Sequence, residues 1–165
     1  MFPPVAVSEL ERQIDVSATS EPKRLPHLLY IAQFRPEKNH ALILHAFASL
    51  LASRKDSSSA AQNAPRLILV GSVRDNADAT RVYKLRLLAH ELQIKDSVEF
   101  VCDAPWEQVL QHLRTSSVGV NGMWNEHFGI GVVEYQAAGL ISVVNDSGGP
   151  RMDIVVNVEG GATGE

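Results

Sequence analysis

Five short apolar runs, at residues 27–34, 66–70, 97–101, 117–120 and 141–144, alternate with stretches of helical periodicity, and this alternation leaves the chain few folds. The runs have strand length and a buried-type composition of Val, Ile, Leu and Phe. Between them lie residues 39–51, with Leu42, Ile43, Ala46, Phe47 and Leu50 on one face, and the long amphipathic stretch 77–92. A shorter stretch, 105–113, opens in Pro-Trp-Glu, and a last one runs over 128–138. Strand–helix alternation predicts an α/β fold, a doubly wound parallel sheet with right-handed crossovers and helices on both faces. A length of 165 residues suits one such domain with a sizeable core. Ligands of such sheets bind beyond the carboxyl ends of the strands. Residues 34–38, 71–75, 102–105 and 121–129 all fall on that edge, so a site there is contiguous although its sequence is scattered.

Outside the alternation, residues 1–27 hold Pro3, Pro4, Pro22 and Pro26 with scattered charges, and read as a linker or arm. Residues 54–65, with Ser57-Ser58-Ser59, read as a polar, mobile loop. The composition, 45% apolar and 21% charged, is that of a soluble globular protein. A net charge of −4 with no Lys/Arg-rich block argues against a nucleic-acid partner. A single cysteine, Cys102, excludes an intrachain disulfide framework and a cysteine-based zinc cluster. No apolar run approaches the roughly 20 residues of a membrane span, and no signal peptide is visible, so any anchor is expected outside this segment. No metal or other cofactor is expected either. His127, His40 and His45 lack metal-ligand spacing, and no Asp-x-Asp sequence occurs.

The chemistry concentrates in Glu126-His127-Phe128-Gly129-Ile130-Gly131-Val132-Val133-Glu134. A polar turn precedes this segment, which then becomes an apolar helical run. Glu126 is therefore expected just ahead of a helix and Glu134 about two turns inside it. Phe128, Gly129 and Ile130 are expected to offer unpaired backbone N–H groups at the helix start, a ready anion site. A phosphate cradle flanked by two carboxylates suits a sugar nucleotide, because each carboxylate can accept hydrogen bonds from vicinal hydroxyls. Blander readings exist for each part. Glu126 alone is well explained as a solvated charge favoured by the helix dipole. Lys38 alone reads as a surface charge, and Gly148-Gly149 as a turn. Trp124 and Phe128 suit packing as well as stacking on a ligand. Gly129-x-Gly131-x-x-Glu134 misses the dinucleotide-binding fingerprint, with a glutamate in place of its third small residue.

The Glu-x7-Glu spacing with Phe-Gly inside it resembles the signature of retaining glycosyltransferases of the two-domain GT-B type, the large family that includes glycogen, sucrose and mannosyl transferases. Tyr-Ile-Ala-Gln-Phe-Arg-Pro-Glu-Lys-Asn at 30–39 resembles that family's first strand and phosphate loop, residues 67–71 its second strand and glycine turn, and 139–150 its Gly-Gly segment. The wording of residues 123–135 is similar to that of GDP-mannose-dependent α-1,2-mannosyltransferases acting on dolichol-linked oligosaccharide. The resemblance implies the C-terminal, Rossmann-like half of a GT-B fold over residues 28–165, truncated at its end, with the acceptor-binding N-terminal domain absent. It implies that Glu126 contacts the transferred sugar, Glu134 the ribose hydroxyls and Lys38 the diphosphate. The family pairs this lysine with an arginine at the position held here by Gln33, and Arg35 substitutes only if its loop turns it back towards the phosphates. His127, Phe128, Gly129 and Ile130 complete the implied donor contacts. The implied substrates are GDP-mannose and a lipid-linked oligosaccharide, at the cytosolic face of the endoplasmic reticulum, without metal. A different donor such as UDP-glucose, or a sugar-nucleotide-binding module without turnover, remain the alternatives.

Overall fold

A computed structural model describes residues 6–17, 24–54, 64–158 and 161–162. Strands β1 (Leu25–Ile31), β2 (Arg66–Gly71), β3 (Val98–Cys102), β4 (Ser116–Asn121) and β5 (Ile141–Val144) form one sheet of order β3-β2-β1-β4-β5. Every neighbouring pair in it is parallel. Helices α2 (His40–Arg54), α3 (Asn76–Glu91), α4 (Trp106–Thr115) and α5 (Ile130–Ala137) make the crossovers. Five strands and four crossover helices match the expected alternation, with ends displaced by a few residues. After α5 and β5 the chain makes one wide helical turn, Pro150–Ile154, and a two-residue antiparallel pair, β6 (Asn157–Val158) with β7 (Gly161–Ala162).

Burial on both faces explains the unbroken apolar runs. In β2, Leu67 and Leu69 point to one side, into a core with Tyr30, Phe34, Leu44, Phe47, Val82 and Leu85 beneath α2 and α3. Ile68 and Val70 point to the other, packing with Leu29, Leu110, Leu113 and Tyr135 beneath α4 and α5. Alternate side chains of a strand face opposite ways, so a central strand between two helical layers needs an apolar residue at every position. The chain winds outward from β1 through β2 to β3, then returns to build β4 and β5 on the other side. The strand order therefore reverses between β1 and β4, and the carboxyl ends of these two strands open a crevice.

Two differences from the sequence reading have physical reasons. Within the proline-marked arm, Val7–Gln13 forms a helix, α1, whose Leu10, with Ile14 just after it, is buried in the core beneath α5. The first strand also ends earlier than its apolar run. Ala32 donates a last hydrogen bond to the Val70 carbonyl, after which Arg35 N–H bonds back to the Gln33 carbonyl and the chain turns. Phe34 is fully buried in this turn as a core residue, which is why the run continued through it. Most of the 54–65 loop lies outside the described residues. Among the described residues, no helix is long and apolar enough to cross a membrane.

Candidate functional site

A cavity of about 300 Å³ lies at the reversal of strand order, between the ends of β1 and β4 and the start of α5. Ile31 and Ala32 line it from β1, Asn121 from β4, Lys38 from the loop after β1, and residues 126–131 from the approach to α5. Of the residues singled out in the sequence, Lys38, Glu126, His127, Phe128, Gly129 and Ile130 thus converge on one space. Gln33, Arg35 and Glu134 do not line it.

Lys38 ends a 3-10 turn, Pro36–Lys38, which Asn39 terminates in the left-handed conformation at φ 51°. The buried Tyr30 hydroxyl donates to the Lys38 carbonyl at 2.6 Å, fixing this turn to the sheet. The Lys38 ammonium donates to Glu126 Oε2 at 2.5 Å and lies 3.1 Å from Met123 Sδ. The two charged side chains are only 22% and 15% exposed. Each would have been solvated under its bland reading. Instead they form a largely enclosed pair facing the cavity.

The approach to α5 is shaped by glycines. Gly129 caps the helix at φ 101°, a left-handed conformation that strains any residue with a Cβ. Helical geometry accordingly begins at Ile130 and not at Phe128. Among the described residues, the N–H groups of Gly129, Ile130 and Gly131 have no acceptor, while Val132 N–H already bonds to the Gly129 carbonyl at 2.9 Å. Phe128 is among the residues that do have an interaction partner. Gly148, at φ 60°, approaches so closely that a Cβ would sit 2.2 Å from the Glu126 carbonyl oxygen, and Gly149 N–H donates to that oxygen at 2.7 Å. The Gly-Gly turn after β5 is therefore also a backbone brace behind Glu126. Ser147 Oγ adds to it by accepting from Asn125 N–H at 2.8 Å.

Beneath the cavity lies Tyr135, which the sequence reading assigned only to the apolar run. It is fully buried, accepts from Ile31 N–H at 2.7 Å and donates to the Val120 carbonyl at 3.4 Å. One phenol thus ties α5 to the ends of both strands that open the crevice, and burial pushes its ionisation well above the ordinary tyrosine range. Asn121, the first residue of the 121–129 stretch expected on the ligand edge, lines the cavity too. Its side-chain oxygen accepts from Met123 N–H at 2.9 Å, turning the chain out of β4. Its position, a polar residue ending an apolar strand on the ligand edge, was the available signal.

Glu134 lies four residues after Ile130 and three after Gly131, on the same face of α5 one turn further from the cavity. It is half-buried, and its carboxylate takes part in no hydrogen bond or ion pair among the described residues. Burial raises its pKa above the ordinary glutamate value. Arg35 turns away from the cavity. Its Nη1 lies 3.8 Å from Glu37, and after the Arg74 hydrogen bond its charge is a minor cause holding the Asp78 carboxyl below the usual range. Gln33 is exposed on the turn. Trp124 is 72% exposed and outside the lining, whereas Phe128 and His127 are part of it. His40 is buried against the Tyr30 and Phe34 rings, each 4.9 Å away, and burial lowers its pKa to about 4. Neither of its ring nitrogens has a hydrogen-bond partner among the described residues. Among the described residues, no group of three His, Cys, Asp or Glu side chains could hold a metal ion.

Comparison with known proteins follows the same lines. A family model described as "Glycosyl transferases group 1" matches residues 11–164. A Neurospora crassa protein named GDP-Man:Man(3)GlcNAc(2)-PP-Dol alpha-1,2-mannosyltransferase is 66% identical over 164 residues, which make up 99% of this chain and 29% of that protein. A Homo sapiens protein of the same name is 41% identical over 165 residues, 99% of this chain and 32% of its own length. The chain therefore spans about a third or less of these relatives. Among solved structures, an Anabaena protein crystallised in complex with UDP and glucose superposes with a TM-score of 0.68 at 16% identity, over 90% of this chain and 38% of that one. Likeness at that identity is one of fold.

Proposed function

The chain belongs to the glycosyltransferase group 1 family, and from that premise we propose that its cavity is the donor site of a retaining transferase that moves mannose from GDP-mannose, in α-1,2 linkage, to a dolichol-pyrophosphate-linked oligosaccharide. The observation that carries the reading is the convergence of Lys38, Glu126 and the three open amides of residues 129–131 on one cavity where the strand order reverses. The names of the relatives supply the donor and acceptor.

In this reading the diphosphate lies across the amides of Gly129, Ile130 and Gly131, with the α5 dipole and Lys38 opposing its charge. Glu126 accepts from hydroxyls of the sugar. Glu134, one turn along, accepts from the ribose, and its unpartnered carboxylate supports that role. As the glycosidic bond to the diphosphate breaks, negative charge gathers on the leaving phosphate and positive charge on the anomeric carbon. Lys38 and the amides stabilise the first. The acceptor hydroxyl attacks from the face the phosphate leaves, and the phosphate takes its proton. Among the described residues no three His, Cys, Asp or Glu side chains come together as a metal site, and binding is proposed to proceed without a metal. Acceptor contacts fall to the part of the whole protein beyond this chain, which is proposed to work at the cytosolic face of the endoplasmic reticulum membrane.

Calorimetry of the 165-residue chain with GDP-mannose, UDP-glucose and GDP tests the reading. Saturable binding of GDP-mannose in preference to UDP-glucose is expected. Binding of neither sugar nucleotide removes the donor-site assignment, and preference for UDP-glucose assigns a different donor.

A further inference from the structure

The Lys38–Glu126 pair carries a consequence for what the site holds and what it lets go. Lys38 is, among the described residues, the single lysine or arginine lining the cavity, and its ammonium is already bound to Glu126 at 2.5 Å. Its other side-chain neighbour, the Met123 thioether at 3.1 Å, carries no charge. Arg35 lies outside the lining, with Nη1 3.8 Å from Glu37. The ammonium has a further N–H to offer a phosphate, but that phosphate then shares one cation with a side chain only 15% exposed, on a residue whose backbone carbonyl the Gly149 N–H holds in place.

We propose that Glu126 discriminates between the intact donor and the spent nucleoside diphosphate, because it competes with the phosphates for Lys38 unless the ligand also brings a sugar to satisfy it. The inference rests on the donor-site reading above. An intact sugar nucleotide satisfies both members of the pair at once. Its hydroxyls donate to Glu126, and its phosphates accept from Lys38. A bare nucleoside diphosphate draws Lys38 away from a partly buried carboxylate, or shares it, and either way sets a second anion beside Glu126 with no hydroxyl to satisfy it, which is costly. Once the sugar has gone to the acceptor, Glu126 recovers Lys38 and the leaving nucleotide loses its cation. The pair thus weakens product retention, the step that commonly limits turnover in enzymes whose chemistry is fast. No covalent step is added to the reaction. The pair only sets which ligand binds against which.

The test is a double-mutant cycle on the 165-residue chain, with calorimetric affinities for GDP and GDP-mannose. Glu126→Gln is expected to bind GDP at least about fivefold more tightly than wild type, the scale of a released ion pair, and to lose affinity for GDP-mannose relative to GDP. Lys38→Met is expected to weaken both ligands. The decisive member is the double variant, whose GDP affinity should equal that of Lys38→Met. If the gain from Glu126→Gln persists without Lys38, Glu126 acts by simple repulsion of the diphosphate and the inference is overturned. An unchanged or weakened GDP affinity in Glu126→Gln overturns it as well. Glu126→Ala, expected to change GDP affinity in the same direction, stands in if the glutamine variant fails to fold, as judged by thermal melts. A wild-type chain that binds neither ligand removes the donor-site reading, and this inference with it. A wild type that binds both, with no gain in either Glu126 variant, removes this inference alone.

Discussion

Glu134 is held in the fold at a cost. Its carboxyl pKa is raised by burial, so between the ordinary glutamate value and the raised one the folded chain binds more protons than the unfolded chain. Stability therefore falls as pH rises through that window, and the penalty is fully present above it. Glu134→Gln is expected to raise the melting temperature at pH 7 and to converge on wild type below the ordinary glutamate range. The same variant should weaken GDP and GDP-mannose about equally, by roughly tenfold, as expected when a charged hydrogen-bond acceptor for the ribose is lost. Melting curves across pH with calorimetry on both ligands check the two halves. A variant that is stabilised but binds normally would leave Glu134 as a structural fault and not a ligand contact. The two glutamates were legible in the sequence as a pair, but their environments were not. That Glu126 pairs with Lys38, 88 positions away, follows from the return of the chain to β4 beside β1. Phe128 was expected to open the helix because a left-handed glycine cap cannot be told from an ordinary helix start by composition. Gly148 looked like a turn because a steric approach to the Glu126 carbonyl leaves no local signal.

At the scale of elements, the alternation was readable because helical and strand periods differ and a two-faced sheet demands continuous apolar runs. Helix α1 was hidden, since its seven residues are short and four prolines in the surrounding arm outweighed Leu10 and Ile14. Its packing beneath α5 makes it a support for the site. Leu10→Ala should destabilise the fold by about 2–4 kcal/mol, the usual cost of a buried leucine truncation, measured by denaturant titration. A change below about 0.5 kcal/mol would mean that α1 does not dock in solution. The start of α2 carries a second prediction. His40 is buried between two rings of the first core, and its pKa of about 4 lies below the ordinary 6.5. Between those values the unfolded chain binds more protons, so stability is lost as pH falls from about 6.5 towards 4, by on the order of 3 kcal/mol. His40→Phe keeps a ring in the stack and removes the titration. Its stability should fall less steeply over that window. Some slope should remain, because burial also lowers His27 and His112. Parallel pH profiles for wild type and variant would exclude His40 as the acid-sensitive group.

For the whole molecule, the question is which parts of a transfer reaction one wall of a site can perform. Lys38, the open amides of residues 129–131 and the Glu126 brace are all local to this chain, so the proposed donor binding is expected to require nothing beyond it. A chelator should not change that binding. A tenfold loss on chelation, about 1.4 kcal/mol, would require a metal that the donor set does not account for. Transfer is different. It needs an acceptor hydroxyl held within reach of the anomeric carbon, and orientation of that kind supplies a large share of any rate enhancement. It also needs water kept from the charges on the diphosphate, whereas Lys38 remains 22% exposed here. The chain makes up 29% and 32% of relatives whose names describe the complete reaction. The 165-residue chain is therefore expected to bind GDP-mannose and transfer no mannose, with radiolabelled donor and a lipid-linked oligosaccharide acceptor as the assay. Binding without transfer would locate acceptor positioning and water exclusion outside this chain. Robust transfer would mean that the cavity already holds the acceptor, and the division of labour between donor and acceptor halves would have to be abandoned.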